Sequence, residues 1–244
     1  TKMAEKPIEA QKAVELVDCG VEGVREAKVV ARDTAGVEWD RFMRLSQTAK
    51  RVNALGLPAG TIVLDVGGFD GAFALFVPDL VVWVVDPVTT GGSGLAIPFP
   101  DKHFDVVVSI DALEHVPRQD REKLLQELAR VAKSKLFINY PEARSMEAQR
   151  KVLSLIPNKF IQEHVEYRLP GREETVAALR ELLPEITIKA FGHTSVNVWV
   201  AWYALFHTLK ERGLSVSDYL KAHENEVSSE PFLYDLLECG IGQS

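Results

Sequence analysis

Four short, nearly continuous apolar runs constrain this chain most: TIVLDV at 61–66, LVVWVVD at 80–86, FDVVVSI at 104–110 and KLFIN at 135–139. A strand with one wet face alternates polar and apolar residues. A strand covered on both faces reads as an unbroken apolar stretch rich in Val, Ile and Leu. Between the third and fourth runs, RQDREKLLQELARVAK (118–133) places Leu124, Leu125, Leu128, Val131 and Ala132 along one side of a helix. Strands alternating with a helix, and apolar on both faces, predict a parallel sheet with helices on each side, an α/β architecture of the doubly wound kind.

The flanking segments carry weaker signals. EAQKAVELVD (9–18) and WDRFMRLSQTAKRVNALGL (39–57) have helical spacing, and Gly56 with Pro58 closes the second. They predict an N-terminal helical cap over 1–58 and a main domain over 59–244. A short helix is expected at 72–77, stopped by Pro78, and another at 172–183, stopped by Pro184. Residues 141–170 read as helix and loops, 185–191 as a strand, 196–213 as a helix ended by Gly213 whose first residues also suit a strand, and 230–239 as the last strand, with a short helix as the alternative.

A net charge of −7, with no Lys/Arg cluster, argues against a phosphate-backbone partner, so no nucleic acid is expected. The two cysteines, Cys19 and Cys239, form no paired metal motif and point to a reducing compartment. The first thirty residues are broken by charges and lack a secretory leader pattern, so a cytoplasmic location is expected. No apolar run reaches the length of a spanning helix.

The chemistry concentrates at Asp65-Val66-Gly67-Gly68-Phe69-Asp70-Gly71, directly after the first run. Glycines at a strand-to-helix turn let the backbone bend sharply and approach a ligand closely. The second run ends in Asp86, followed by Pro87, where a carboxylate can accept from ribose hydroxyls. Together they suit a nucleoside ligand. The full G-x-G-x-x-G spacing is absent, which disfavours a nicotinamide oxidoreductase.

VLDVGGFDG resembles the first motif of class I S-adenosylmethionine (SAM)-dependent methyltransferases, and LAIPFPDKHFDVVVSIDALEHVP (95–117) resembles a segment of their small-molecule group. The resemblance implies a Rossmann-like, mostly parallel seven-stranded sheet with one antiparallel strand at its end. It also implies SAM as cofactor. Asp65 and Gly67 would lie near the methionine moiety, with Gly68 and Phe69 in the loop and Gly71 at the helix start. Asp86 would hold the ribose, Ser93 and Gly94 would flank the adenine, and Asp111 and Ala112 would close the methionine and ribose side. Phe69 replaces the family's middle glycine, and Ser93 stands where an acid often meets the adenine amino group. These departures keep a non-catalytic SAM-binding or interaction domain as the alternative. A fainter likeness of EHVEYRLPGREETVAAL (163–179) is to methyltransferases associated with cell-surface polysaccharides.

The expected activity is methyl transfer to a small-molecule acceptor, foremost a hydroxyl, with a sugar or lipid-linked glycan as one candidate. The acceptor pocket is expected around 141–170. His115 is the first candidate base and His164 the second. Asp111, Glu114 and His115 stand at i, i+3 and i+4 and resemble the metal-binding E-x-x-E-H of some O-methyltransferases, with His164 able to complete a site for an ion such as Mg²⁺. Many chains with this L-E-H-V segment hold no metal, and none is assigned. Trp199, Trp202, Tyr203 and Phe206 form a helical stripe, read first as a buried face and second as a sugar-stacking or peripheral membrane-contact surface. Trp39 and Phe42 are read either as a lid or as packing, and the acids near Glu224 and Glu226 as solvated surface.

Overall fold

The computed structural model describes residues 13–208 and 210–242. Its strands are β1 (Val14–Asp18), β2 (Arg25–Val29), β3 (Ile62–Val66), β4 (Val81–Val85), β5 (Phe104–Ile110), β6 (Ala132–Pro141), β7 (Thr187–Ser195) and β8 (Phe232–Gly240). Its helices are α1 (Trp39–Asn53), α2 (Arg121–Val131), α3 (Met146–Leu155), α4 (Lys159–Tyr167), α5 (Arg172–Leu182), α6 (Val196–Thr208) and α7 (Lys210–Ala222).

All eight strands form one sheet in the order β1-β2-β4-β3-β5-β6-β8-β7. The centre, β4-β3-β5-β6, is parallel. Both margins pair antiparallel: β1 with β2, β2 with β4, β6 with β8, and β8 with β7. The sheet is therefore mixed and eight-stranded, which corrects the expected seven-stranded, mostly parallel form.

Alternate side chains of the central strands feed two cores. Leu64, Val66, Val85, Val107, Leu136 and Ile138 pack against α2 and Leu179 of α5. Val63, Val82, Val84, Val106, Val108 and Phe137 pack against Leu45, Ala49 and Val52 of α1. Double burial is why these strands lack polar alternation. A third cluster joins Trp39 and Met43 to α3, α4 and α6.

Three local expectations change. Residues 9–12 lie outside the described residues, but Val14–Asp18 is a strand, not a helix. The β1–β2 hairpin covers the edge of β4, with Ala27 opposite Val82. An uncovered apolar edge is costly, and that long-range pairing overrides a weak local helical pattern. The stretch after the glycine loop is one 3₁₀ turn, Ala72–Leu75. Gly213 does not end a helix, because α7 runs through it to Ala222.

Candidate cofactor crevice and acceptor-side cluster

Strand β3 lies between β4 and β5, so the chain leaves it toward opposite sides of the sheet. Open α/β sheets bind ligands at such a reversal, outside the carboxyl ends of the strands. The carboxyl ends of β3, β4 and β5 carry, in turn, the glycine loop, Asp86 and Asp111.

The glycine loop is shaped by close approaches. Gly67 has φ +83°, and a Cβ there would lie 2.5 Å from the Ala112 Cβ. A Cβ on Gly68 would lie 2.3 Å from Asp65 Oδ2. Phe69 also has a positive φ, 49°, and its ring is 49% exposed at the loop tip. Its carbonyl accepts from the Thr89 hydroxyl, tying the loop to the segment after β4. Asp70 is gripped by both terminal nitrogens of Arg41 from α1. Gly71, φ +76°, packs beneath the hairpin, where a Cβ would meet the Ala27 Cβ at 2.6 Å.

Asp65 is buried, and its Oδ1 has no hydrogen-bond partner. Burial pushes this carboxyl up to about 7; Arg41 opposes the rise, while Asp70 and Asp86 add to it. The Asp86 Oδ1 accepts from the Val88 and Thr89 amides at 2.9 and 3.0 Å. With Oδ1 committed to Pro87-Val88-Thr89, Oδ2 is the oxygen left to meet a ligand. Ser93 is exposed, and its Oγ accepts from the Leu95 amide at 3.1 Å. A Cβ on Gly94 would lie 2.9 Å from both Val66 Cγ1 and Leu124 Cδ1, so this segment lies close on the sheet end.

Asp111 has φ +59° and donates its amide to the Asn139 carbonyl at 2.8 Å. Its Oδ2 meets Arg44 Nη2 at 2.8 Å, and Arg44 Nη1 donates to the Tyr234 hydroxyl at 3.0 Å. Burial opposes ionisation of Asp111, but the Arg44 guanidinium prevails and holds it down to about 2. Glu114 is fully buried, and neither of its oxygens receives a hydrogen bond. Burial first, then the neighbouring Asp111, raises its carboxyl well above the usual range.

His115 and His164, the two histidines singled out in the sequence, come together from the turn after β5 and from α4. Their Nε2 atoms stand 3.4 Å apart. His115 Nδ1 lies 2.9 Å from Glu163 Oε2, and His164 Nδ1 lies 2.6 Å from Gln149 Oε1. His164 is buried, which lowers it to about 3. A concavity of about 370 Å³ lined by Pro117, Arg118, Gln119, Glu166, Tyr167 and Arg168 follows both histidines in sequence.

Sequence reasoning missed Arg41, Arg44, Gln149, Glu163 and Tyr234. All lie on elements distant in sequence from the residues they contact, and no local pattern marks them. Trp39 is fully buried edge-on to Trp202 at 5.5 Å, so it packs instead of forming a lid. Phe42 packs edge-on to Phe76 at 5.3 Å. The α6 stripe is a buried face, with Trp199, Trp202 and Tyr203 inside and Phe206 stacked on Trp202. Glu224 is not solvated surface: it pairs with Lys50 at 2.6 Å and accepts from the Ser46 hydroxyl.

This sheet order, with the crevice at its reversal and helices on both faces, is the Rossmann-like methyltransferase fold. The profile of a methyltransferase-domain family matches residues 64–137, which span β3 to β6 and include the glycine loop, Asp86 and Asp111. Ajmaline N-methyltransferase of Rauvolfia serpentina is 49% identical over 43 residues, 18% of this chain and 14% of that protein. The chain thus matches only a small part of that relative's length. Among solved structures, a protein of Anabaena variabilis assigned to methyl transfer in an antibiotic biosynthesis pathway superposes with a TM-score of 0.52 at 16% identity. The match covers 80% of this chain and 98% of that one. A protein of Galdieria sulphuraria assigned as a sarcosine dimethylglycine methyltransferase gives a TM-score of 0.51 at 15% identity, covering 84% and 87%. Likenesses at this identity establish the fold.

Among the described residues, no helix is long and apolar enough to cross a membrane.

Proposed function

We propose that this chain is a SAM-dependent methyltransferase whose acceptor is a hydroxyl of a small molecule. The observation that carries the reading is one juxtaposition. Three consecutive parallel strand ends present a glycine loop, a ribose-type carboxylate and Asp111-Ala112 around one crevice, within the stretch matched to the methyltransferase domain. The residues fit the cofactor: Gly67 and Gly68 let the loop fold tightly against Ala112 and Asp65 at the strand end, and Asp86 keeps Oδ2 uncommitted.

SAM supplies a methyl group already activated on a sulfonium. The protein's work is orientation. Gly67, Gly68 and Gly71 shape the loop beneath the methionine part, with Asp65 under them. Asp86, followed by Pro87, accepts from the ribose. Ser93 and Gly94 flank the adenine, and the exposed Phe69 ring covers the loop. Asp111 and Ala112 close the opposite wall. The β1–β2 hairpin and α1 belong to the same domain as the crevice strands; α1 contributes Arg41 and Arg44, which brace both walls, and 141–170 contribute the acceptor wall.

His115, about a quarter exposed, is the group that meets the acceptor hydroxyl. His164 is buried and too weakly basic to serve as the base, so its role is to act on His115. Sugar and glycolipid hydroxyls come first in the acceptor search. An amine acceptor is the second reading, favoured by the stretch shared with an N-methyltransferase.

Isothermal titration with SAM and S-adenosylhomocysteine tests the reading. Micromolar binding of both, followed by label transfer from SAM to an acceptor panel, is the expected result. Binding of neither refutes it. Binding without transfer to any acceptor would favour the non-catalytic alternative.

A further inference from the structure

The histidine pair is held in an arrangement that two neutral imidazoles do not adopt by themselves. Gln149 Nε2 donates to Ser145 Oγ at 3.2 Å, and that hydroxyl donates to the Glu142 carbonyl at 2.8 Å. The Gln149 amide therefore presents its oxygen to His164, and His164 Nδ1 carries the hydrogen. Glu163, a carboxylate, only accepts, so His115 Nδ1 also carries its hydrogen. In a neutral ring the other nitrogen is then a bare lone pair. The facing atoms are therefore both Nε2, 3.4 Å apart, and a neutral pair has no hydrogen between them.

Glu114 faces the same point. Its side chain is fully buried, its oxygens receive no hydrogen bond, and its Oε1 lies 3.9 Å from His115 Nε2. One donor atom from each of Glu114, His115 and His164 lies within 4.8 Å of the others. Buried polar atoms are almost always satisfied. A proton or a cation must fill this gap, and only a cation engages one atom of all three side chains at once.

We propose that Glu114, His115 and His164 bind a divalent transition-metal ion. Ligand bonds of about 2.0–2.2 Å set tetrahedral ligand–ligand spacings of roughly 3.4 Å. The imidazole pair already has that spacing, and the widest separation needs to close by no more than about 1.4 Å. The outer nitrogen of each histidine donates to an oxygen, Glu163 for one and Gln149 for the other, which is how metal-binding imidazoles are oriented. Two imidazoles and one carboxylate favour Zn²⁺, Co²⁺, Fe²⁺ or Mn²⁺ over the oxygen-seeking Mg²⁺. Asp111 lies outside the set: Arg44 Nη2 holds its Oδ2 at 2.8 Å, and the donor cluster does not include it.

Ion binding stands on this geometry alone. Its consequence rests on the methyltransferase reading: an ion with three protein ligands keeps a position for the acceptor oxygen and lowers that oxygen's pKa. In the loaded protein it would take over the part given above to His115.

The test uses the full chain, stripped with EDTA and dialysed. Co²⁺ titration followed by visible d–d absorption, with Zn²⁺ competition, should show one ion per chain. Glu114→Gln and His164→Gln should each weaken binding at least tenfold, and Glu163→Gln by about 10–100-fold, the usual effect of losing an outer partner. Circular dichroism checks that each variant is folded. If the ligand variants unfold, Glu163→Gln and the wild-type spectrum decide alone. No Co²⁺ or Zn²⁺ binding, binding unaffected by all three substitutions, or selective Mg²⁺ binding would overturn the proposal. SAM titration of the same stripped protein separates failure of the ion site from failure of the cofactor site.

Discussion

Replacing Gly67 by Ala tests whether the β3 loop and the turn after β5 form one rigid wall. Two costs add. A side-chain-bearing residue at φ +83° sits in the left-handed region, at roughly 1–2 kcal/mol. The new Cβ would lie 2.5 Å from Ala112 Cβ, where carbon atoms prefer about 3.5–4.0 Å. Relieving this requires a shift of about 1 Å, and overpacking of that kind costs about 1–3 kcal/mol. The sum is a destabilisation of roughly 2–5 kcal/mol. Ala112→Gly should remove the overlap but leave the backbone strain. The double-mutant cycle should therefore show a coupling of about 1–3 kcal/mol, measured by urea unfolding with tryptophan fluorescence. SAM affinity should fall in the single variant and recover in part in the double. A loss below about 0.5 kcal/mol, or no coupling, would refute contact between the two walls.

Asp86→Ala should weaken SAM binding more than tenfold by calorimetry, because charge-assisted bonds are worth about 1.5–3 kcal/mol; unchanged affinity would remove Asp86 from the site. Asp65, raised to about 7 by burial, keeps its proton in the folded state where the unfolded chain has lost it. Its contribution to stability is complete below the unfolded value of 3.8 and is lost as pH rises to about 7. Asp65→Asn should flatten that part of the stability–pH curve in denaturant titrations, and an unchanged slope would contradict the burial argument. Trp202→Ala removes a buried ring that donates to Ser217 Oγ at 2.7 Å and packs on Trp39. It should cost about 3–5 kcal/mol of stability and leave SAM affinity intact; an exposed binding stripe would show the reverse.

The central strands were legible because double burial writes itself locally as continuous apolar sequence: 61–66, 80–86 and 104–110 each contain the strand observed. The glycine loop was legible for a similar reason. Positive φ and close approach demand glycine at Gly67 and Gly71, whatever lies around them. Helix α2 carried its own periodicity and formed within a residue or three of its expected span. The sequence by itself thus determined the parallel centre of the sheet, the turn that opens the crevice and the carboxylate at the end of β4.

Tertiary structure decided the rest, because the deciding contacts join distant segments. Val14–Asp18 became a strand when β2 met the open edge of β4. Arg44 and Asp111 are far apart in the chain, and only packing of α1 over the strand ends turns Asp111 into an ion-paired wall. Asp111, Glu114 and His115 resemble a metal motif in the sequence, but the sequence leaves open which of them are free to bind. The candidate ion site takes shape only when α4 brings His164 to 3.4 Å and Glu163 and Gln149 fix which nitrogens are bare. Local pattern records how often a residue is buried. Which charges and lone pairs meet is set by chain crossings, and here those crossings assemble the acceptor side.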